Sequence, residues 1–189
     1  MHGRDWTHEG STSARTSFKL PVKSDTLYVF ARGSLAAGKI TIVDSESVDG
    51  GEEDVVVSVH VRYYTSMALD RANVCQLSRR RGENGIGIFV STLRLLDGNT
   101  TNGPPQTPKY WEYVREEDRL YFDVTIYLPA GVGRNRLRIK NFETDLPLFH
   151  HETGALAETV TFDKLSLKGS NSDMDIRVSK ALYDVNASC

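Results

Sequence analysis

The chain has 189 residues, of which 39% are hydrophobic and 25% charged, with 23 basic against 25 acidic side chains and a formal net charge of -2. This balance suits a folded globular chain with one well-packed core or two small ones. It argues against nucleic acid as a partner, which would need a basic field to neutralise phosphate, and it supplies no attraction to an anionic membrane surface.

No apolar run reaches the roughly 18 residues of a bilayer-spanning helix, so no membrane insertion by this chain is expected. The start, Met1 to Glu9, lacks the apolar centre of a signal peptide. The expected location is cytoplasmic, or the cell surface if a targeting segment lies outside the chain. Cys75 and Cys189 are too few for a disulfide scaffold and form no Cys-x-x-Cys pair. Cys75 reads as a small buried apolar residue.

Residues 1–16 are polar and rich in Ser, Thr, Gly and charge, and are expected to be a disordered tail. Residues 17–189 then read as a single β-rich domain. Phe18, Leu20 and Val22 alternate with Lys19, Pro21 and Lys23. Thr26 to Ala31 is a short run of strand formers, and Ile40 and Ile42 alternate with Lys39 and Thr41. From Asp54 to Tyr64, Val55, Val57, Val59, Val61 and Tyr63 fall on one face. Ser66 to Asn73 has room for one or two helical turns. Arg79-Arg80-Arg81-Gly82-Glu83-Asn84-Gly85 predicts a hairpin loop, with Asn84-Gly85 as its type I′ turn. Ile86, Ile88 and Val90 alternate after it. Residues 97–109 hold three of the six prolines and predict a long exposed loop. From Arg119 to Leu128, Leu120, Phe122, Val124, Ile126 and Leu128 are expected to face inward, and Pro129 to stop the strand.

The last third changes character. Three nine-residue stretches, 137–145, 165–173 and 176–184, each place apolar residues at positions one and three and Asp at nine. Such short strands fit stacked β-solenoid rungs, none of which buries its own face alone. They fit an antiparallel sandwich equally well.

Candidate chemistry is sparse. His150-His151-Glu152 offers zinc-ligand types, but neighbours on a strand point to opposite faces, and His2, His8 and His60 show no ligand spacing; no metal is expected. Glu116, Glu117 and Asp118, with Asp123, could serve as glycosidase carboxylates, although three acids before a strand more often form a solvated turn. No Gly-x-Ser-x-Gly elbow exists, and Gly85-Ile-Gly87 and Gly131-Val-Gly133 lack a phosphate-loop fingerprint. No catalytic residues and no cofactor are assigned. Arg79-Arg80-Arg81 could meet acidic glycans or phosphate, against the plainer reading of a hydrated hairpin tip. Tyr110, Trp111, Tyr113, Tyr121 and Tyr127 form an aromatic concentration that could stack on sugar rings. Asn99 and Asn186 match the N-glycosylation acceptor pattern, which matters only for a secreted chain.

At Cys75 to Arg79, Gly82 to Phe89 and Leu120 to Pro129, the chain resembles uncharacterised fungal proteins, mainly basidiomycete. Asn141 to Asp145 and Phe162 to Asn171 extend the likeness, which covers about residues 17–189. Those proteins look like adhesin domains with a β-solenoid C-terminal half. The resemblance implies no enzymatic activity and transfers no functional residue. Members continue with further Asn-Gly-rich rungs where this chain ends, so it is expected to be truncated or naturally short.

The reading is therefore all-β: an antiparallel, sandwich-like part over 17–135 running into solenoid-like rungs over 136–189. The expected function is a non-catalytic, adhesin-like module engaging an unknown protein or glycan, with edge-strand self-association open to it. The alternatives are a carbohydrate-active enzyme on a β-solenoid and a purely architectural domain.

Overall fold

A period of two lets one face of a strand dry out while the other stays wet, and this pattern dominates the chain. A computed structural model describes residues 12–33, 36–45, 54–79, 82–91, 116–129, 137–146, 149–153, 160–169, 174–175 and 181–188. In chain order the strands are β1 (Thr12–Pro21), β2 (Thr26–Arg32), β3 (Ala36–Ser45), β4 (Asp54–Tyr63), β5 (Ala72–Leu77), β6 (Glu83–Val90), β7 (Leu120–Pro129), β8 (Leu137–Asp145), β9 (Phe149–Thr153), β10 (Val160–Lys168), β11 (Met174–Asp175) and β12 (Ala181–Ser188). One helical turn, α1 (Ser66–Leu69), separates β4 from β5, and a 3-10 turn (Glu116–Asp118) precedes β7.

The strands form two mixed sheets of six. The first has the order β1-β4-β7-β3-β9-β11 and the second β12-β10-β8-β2-β6-β5. Pairing is antiparallel for β1–β4, β4–β7 and β5–β6. It is parallel for β7–β3, β3–β9 and β9–β11 in the first sheet. It is also parallel for β6–β2, β2–β8, β8–β10 and β10–β12 in the second. Parallel neighbours need a crossover connection. Here β2 to β3, β6 to β7, β8 to β9 and β10 to β11 each carry the chain from the second sheet to the first. The β2–β3 unit lies between β6–β7 and β8–β9, so strands from before and after residue 135 share both sheets.

The inward residues of the two sheets meet in one core. On β4 and β7 these are Val55, Val57, Val59 and Val61, and Leu120, Phe122, Val124, Ile126 and Leu128, all buried as the alternation predicts. Leu27, Val29 and Ala31 of β2 face the same core, while Tyr28 and Phe30 are buried on the opposite face. That double burial explains why β2 reads as continuously apolar. Each fully buried Leu, Ile or Phe contributes about 1.5–3 kcal/mol relative to exposure. α1 adds one buried methyl, Ala68, whose amide donates to the Thr65 hydroxyl at 3.1 Å, a side-chain cap on a single turn.

Several expectations are corrected. Thr12 to Thr16, expected in the tail, instead pair with Tyr63 to Val59 in β1–β4, because ladder hydrogen bonds hold a polar edge strand that has no apolar alternation of its own. The region 17–135 is not an antiparallel sandwich, since β2 and β3 have parallel partners on both sides. The β5–β6 hairpin forms, but Asn84 and Gly85 lie inside β6. Gly82, at φ 88°, makes the turn, and its carbonyl accepts from the Asp25 amide at 2.7 Å.

The alignment of Asp-terminated stretches also fails. Leu137 pairs with Val160 and not Leu165, whose partner is Phe142. In both strands the buried positions skip one extra residue, from Ile139 to Phe142 and from Phe162 to Leu165. An interruption of the period of two shared by two neighbours preserves their register, and it defeats a reading based on strict alternation. Leu165 and Leu167 are buried as expected. Ile176, Val178, residues 1–11 and the loop 97–109 lie outside the described residues.

Gly38 of β3 pairs with Phe122 on one side and Phe149 on the other. The two rings meet in the core with centroids 6.2 Å apart and planes at 27°. A Cβ at Gly38 would run into the Phe122 carbonyl. Gly38→Ala is therefore expected to lower unfolding stability by about 1–3 kcal/mol, as overpacking does, measured by urea denaturation. An unchanged midpoint would show that the backbone yields freely there.

Candidate functional site

The outer face of the first sheet carries the predicted Tyr121 and Tyr127. With its even-numbered residues inward, β7 presents Tyr121, Asp123, Thr125 and Tyr127 outward, each half-buried. Register then sets their neighbours. Arg62 of β4 lies opposite Tyr121 and His60 opposite Asp123. On the other side, Lys39 of β3 lies opposite Asp123 and Val43 opposite Tyr127. The Arg62 guanidinium stacks over the Tyr121 ring at 4.4 Å and pairs with the Asp123 carboxylate at 3.0 Å. Lys39 pairs with Glu152 of β9. Burial raises the Tyr121 phenol above its ordinary pKa of 10.0, helped by the Asp123 charge and opposed by Arg62 and Lys39. Tyr121 is thus a neutral phenol at physiological pH, covered by the guanidinium of the Arg62–Asp123 ion pair. Tyr110, Trp111, Tyr113 and Asn99 lie outside the described residues.

The histidine pair divides as strand geometry requires. His150 is half-buried on the outer side, opposite Lys39. His151 is 2% exposed, with Nε2 3.2 Å from the Thr144 hydroxyl of β8 and Nδ1 3.1 Å from the Phe149 carbonyl. It ties the two sheets together through the core. Burial pushes its pKa down, against the Phe149 carbonyl, which favours the charged ring, and with the His150 charge, which does not. Among the described residues no cluster of His, Cys, Asp and Glu is arranged to hold a metal.

Of the acids before β7, Asp118 is engaged in structure. Glu116 to Asp118 form the 3-10 turn, and Arg71 donates to the Asp118 carbonyl while lying 3.9 Å from its carboxylate. Asp123 is held by Arg62. Asn186 of β12 is in register with Ser166 of β10. Cys75 is a half-buried free thiol rather than a fully buried one.

A second aromatic cluster, absent from the sequence reading, lies on the outer face of the second sheet. Tyr28 and Phe30 of β2 pair with Gly85 and Gly87 of β6. A Cβ at Gly85 would run into the Tyr28 ring, and one at Gly87 would sit 2.6 Å from Phe89 Cε2 and 2.7 Å from Leu77 Cδ1. The glycines leave the space that the rings fill. Phe30 meets Phe89 edge-on at 5.4 Å and Tyr28 at 6.0 Å. The available signal was the all-apolar β2 beside alternating glycines in β6, which together imply large rings over small neighbours.

No protein-family model matches the chain, and no curated protein does. Among solved structures, it is similar to a candidate cell adhesion protein from Clostridium sporogenes, at 8% identity and TM-score 0.32, covering 84% of this chain and 73% of that one. It is also similar to a candidate adhesin from Bacteroides fragilis, at 14% identity and TM-score 0.36, covering 85% of this chain and 61% of that one. A third, a candidate adhesin from Parabacteroides merdae, shows 10% identity and TM-score 0.29, with 85% and 55% covered. All three are bacterial, and none reflects the fungal resemblance. Among the described residues no helix is long and apolar enough to cross a membrane.

His151 makes a checkable contribution to pH dependence. Its folded pKa lies below the unfolded value near 6.5, so the unfolded chain takes up its proton first as pH falls. Stability is full above pH 6.5 and declines below it. His151→Gln should flatten that decline in urea midpoints measured across the acid range; an unaltered slope would assign the decline elsewhere.

Proposed function

We propose that the chain is a non-catalytic, adhesin-like module that presents a rigid β face to a glycan-bearing surface. The observation that supports this is the outer face of the first sheet. There Tyr121 and Tyr127 stand three rows apart on one strand, with the ion pairs Arg62–Asp123 and Lys39–Glu152 along the rows from Tyr121 to Thr125. An aromatic plane supplies apolar contact to the C–H face of a sugar, and neighbouring charges supply hydrogen bonds to its hydroxyls. Tyr110, Trp111 and Tyr113 belong to the same proposed ligand-binding set. A cell-surface location accords with the role, and in a secreted form Asn99 and Asn186 would be glycan acceptors.

The same reading takes the alternation between sheets as a short β-solenoid. Leu137 pairs with Val160 in one sheet and His151 with Met174 in the other, the same 23-residue step in both. Equal steps are what successive turns of one coil produce. The antiparallel strands β1, β4 and β5 close one end, while β12 ends the other among the described residues and could pair with another strand.

A glycan array probed with the purified chain tests this function. Binding to at least one glycan class is expected, reduced about tenfold or more in the double variant Tyr121→Ala, Tyr127→Ala with its β-type circular dichroism intact. Binding that is indifferent to both tyrosines would move the site elsewhere. Absence of any ligand on the array and on cell surfaces would overturn the module reading.

A further inference from the structure

The outer face of the second sheet holds a guanidinium in an unusual position. Arg79, just beyond β5, is exposed, and its Cζ lies 4.3 Å from the Tyr28 ring centroid and 4.7 Å from that of Phe30. Arg32 shares the Phe30 ring, at 5.1 Å. The two arginines differ in one respect. Arg32 Nη2 donates to the Asp145 carboxylate at 2.7 Å, whereas Arg79 forms no side-chain hydrogen bond or ion pair with any described residue. Stacking uses the face of a guanidinium and leaves its in-plane N–H fork available, and that fork matches a carboxylate. Beside it, the half-buried Phe89 and Leu77 converge over Gly87. Beneath it, the Tyr28 hydroxyl is buried with no side-chain hydrogen-bond partner among the described residues, close to the Arg79 backbone amide, in a residue only 2% exposed.

We propose that Arg79, seated on Tyr28 and Phe30 and flanked by Phe89 and Leu77, binds the carboxylate of a uronic acid residue in an acidic polysaccharide. Arg32 with Asp145 shows the arrangement already completed on the same ring by an internal acid. On Arg79 the carboxylate comes from outside. A uronate carries its carboxylate on a rigid ring whose C–H face can lie on Phe89 and Leu77. An acidic peptide carries it on a flexible stem and leaves that apolar contact unused. The site is on the opposite sheet from the tyrosines discussed above and stands independently of them.

The test is a side-chain NMR titration of the full chain with an oligogalacturonate, its neutral galactose counterpart and an oligoglutamate. The oligogalacturonate is expected to shift the Arg79 Nε–Hε and Phe89 ring signals saturably, with affinity falling as salt rises. The neutral oligomer is expected to leave them in place. Arg79→Gln should weaken binding about tenfold, and Arg79→Lys, which keeps the charge and loses the fork, should recover only part of it. Tyr121→Ala should have no effect, which separates this site from the first sheet. Oligogalacturonate that leaves the Arg79 signals unmoved, equal binding by Arg79→Gln, or equally tight binding of oligoglutamate would each overturn the proposal.

Discussion

Everything in this molecule depends on keeping rings and glycines opposite one another across adjacent parallel strands. Neighbouring strands lie about 4.8 Å apart, too close for two large rings side by side at one level of a row to settle without a gap beside them. Gly38 provides that gap in the core, where Phe122 and Phe149 approach across it. Gly85 and Gly87 provide it on the outer face of the second sheet, beneath Tyr28, Phe89 and Leu77. Register is thereby pinned by shape as well as by hydrophobic pattern, because a slip by one residue would set a ring against a side chain.

The two outer faces follow from this core. Once alternate side chains are committed inward, β7 has no choice but to present Tyr121, Asp123 and Tyr127 outward, and β4 and β3 bring Arg62 and Lys39 beside them. These charges are partly solvated, so each pair adds at most about 1 kcal/mol to stability. Their effect is to hold orientation. The second sheet differs: over β2 and β6 its outer face carries Tyr28, Phe30 and Phe89 beneath two arginines, of which Arg32 alone has a counterion among the described residues.

Much of this was legible in the residues. The strict alternation in β4 and β7 named the inward set correctly, and adjacent His150 and His151 had to part. The direction of pairing was not legible. A strand buried on one side looks the same whether its neighbours run with it or against it, and β2, β6 and β8 are joined across 57 and 115 residues of sequence. Asn84-Gly85 misled because turn chemistry and room for a ring both call for glycine; only the position of Tyr28 in the neighbouring strand separates them. Asp145 reads in the sequence as the end of a repeat, yet in the fold it is the counterion of Arg32.

The equal spacing of β8 to β10 and β9 to β11 bears on how such a chain can change length. Across the β8–β10 pair a shift of one such step carries Ile139 to Phe162, Phe142 to Leu165 and Thr144 to Leu167, all of them buried. A 23-residue insertion or deletion between β8 and β10 would therefore keep that row in the core, whereas an odd-numbered change of another size would turn its rings to the outer face.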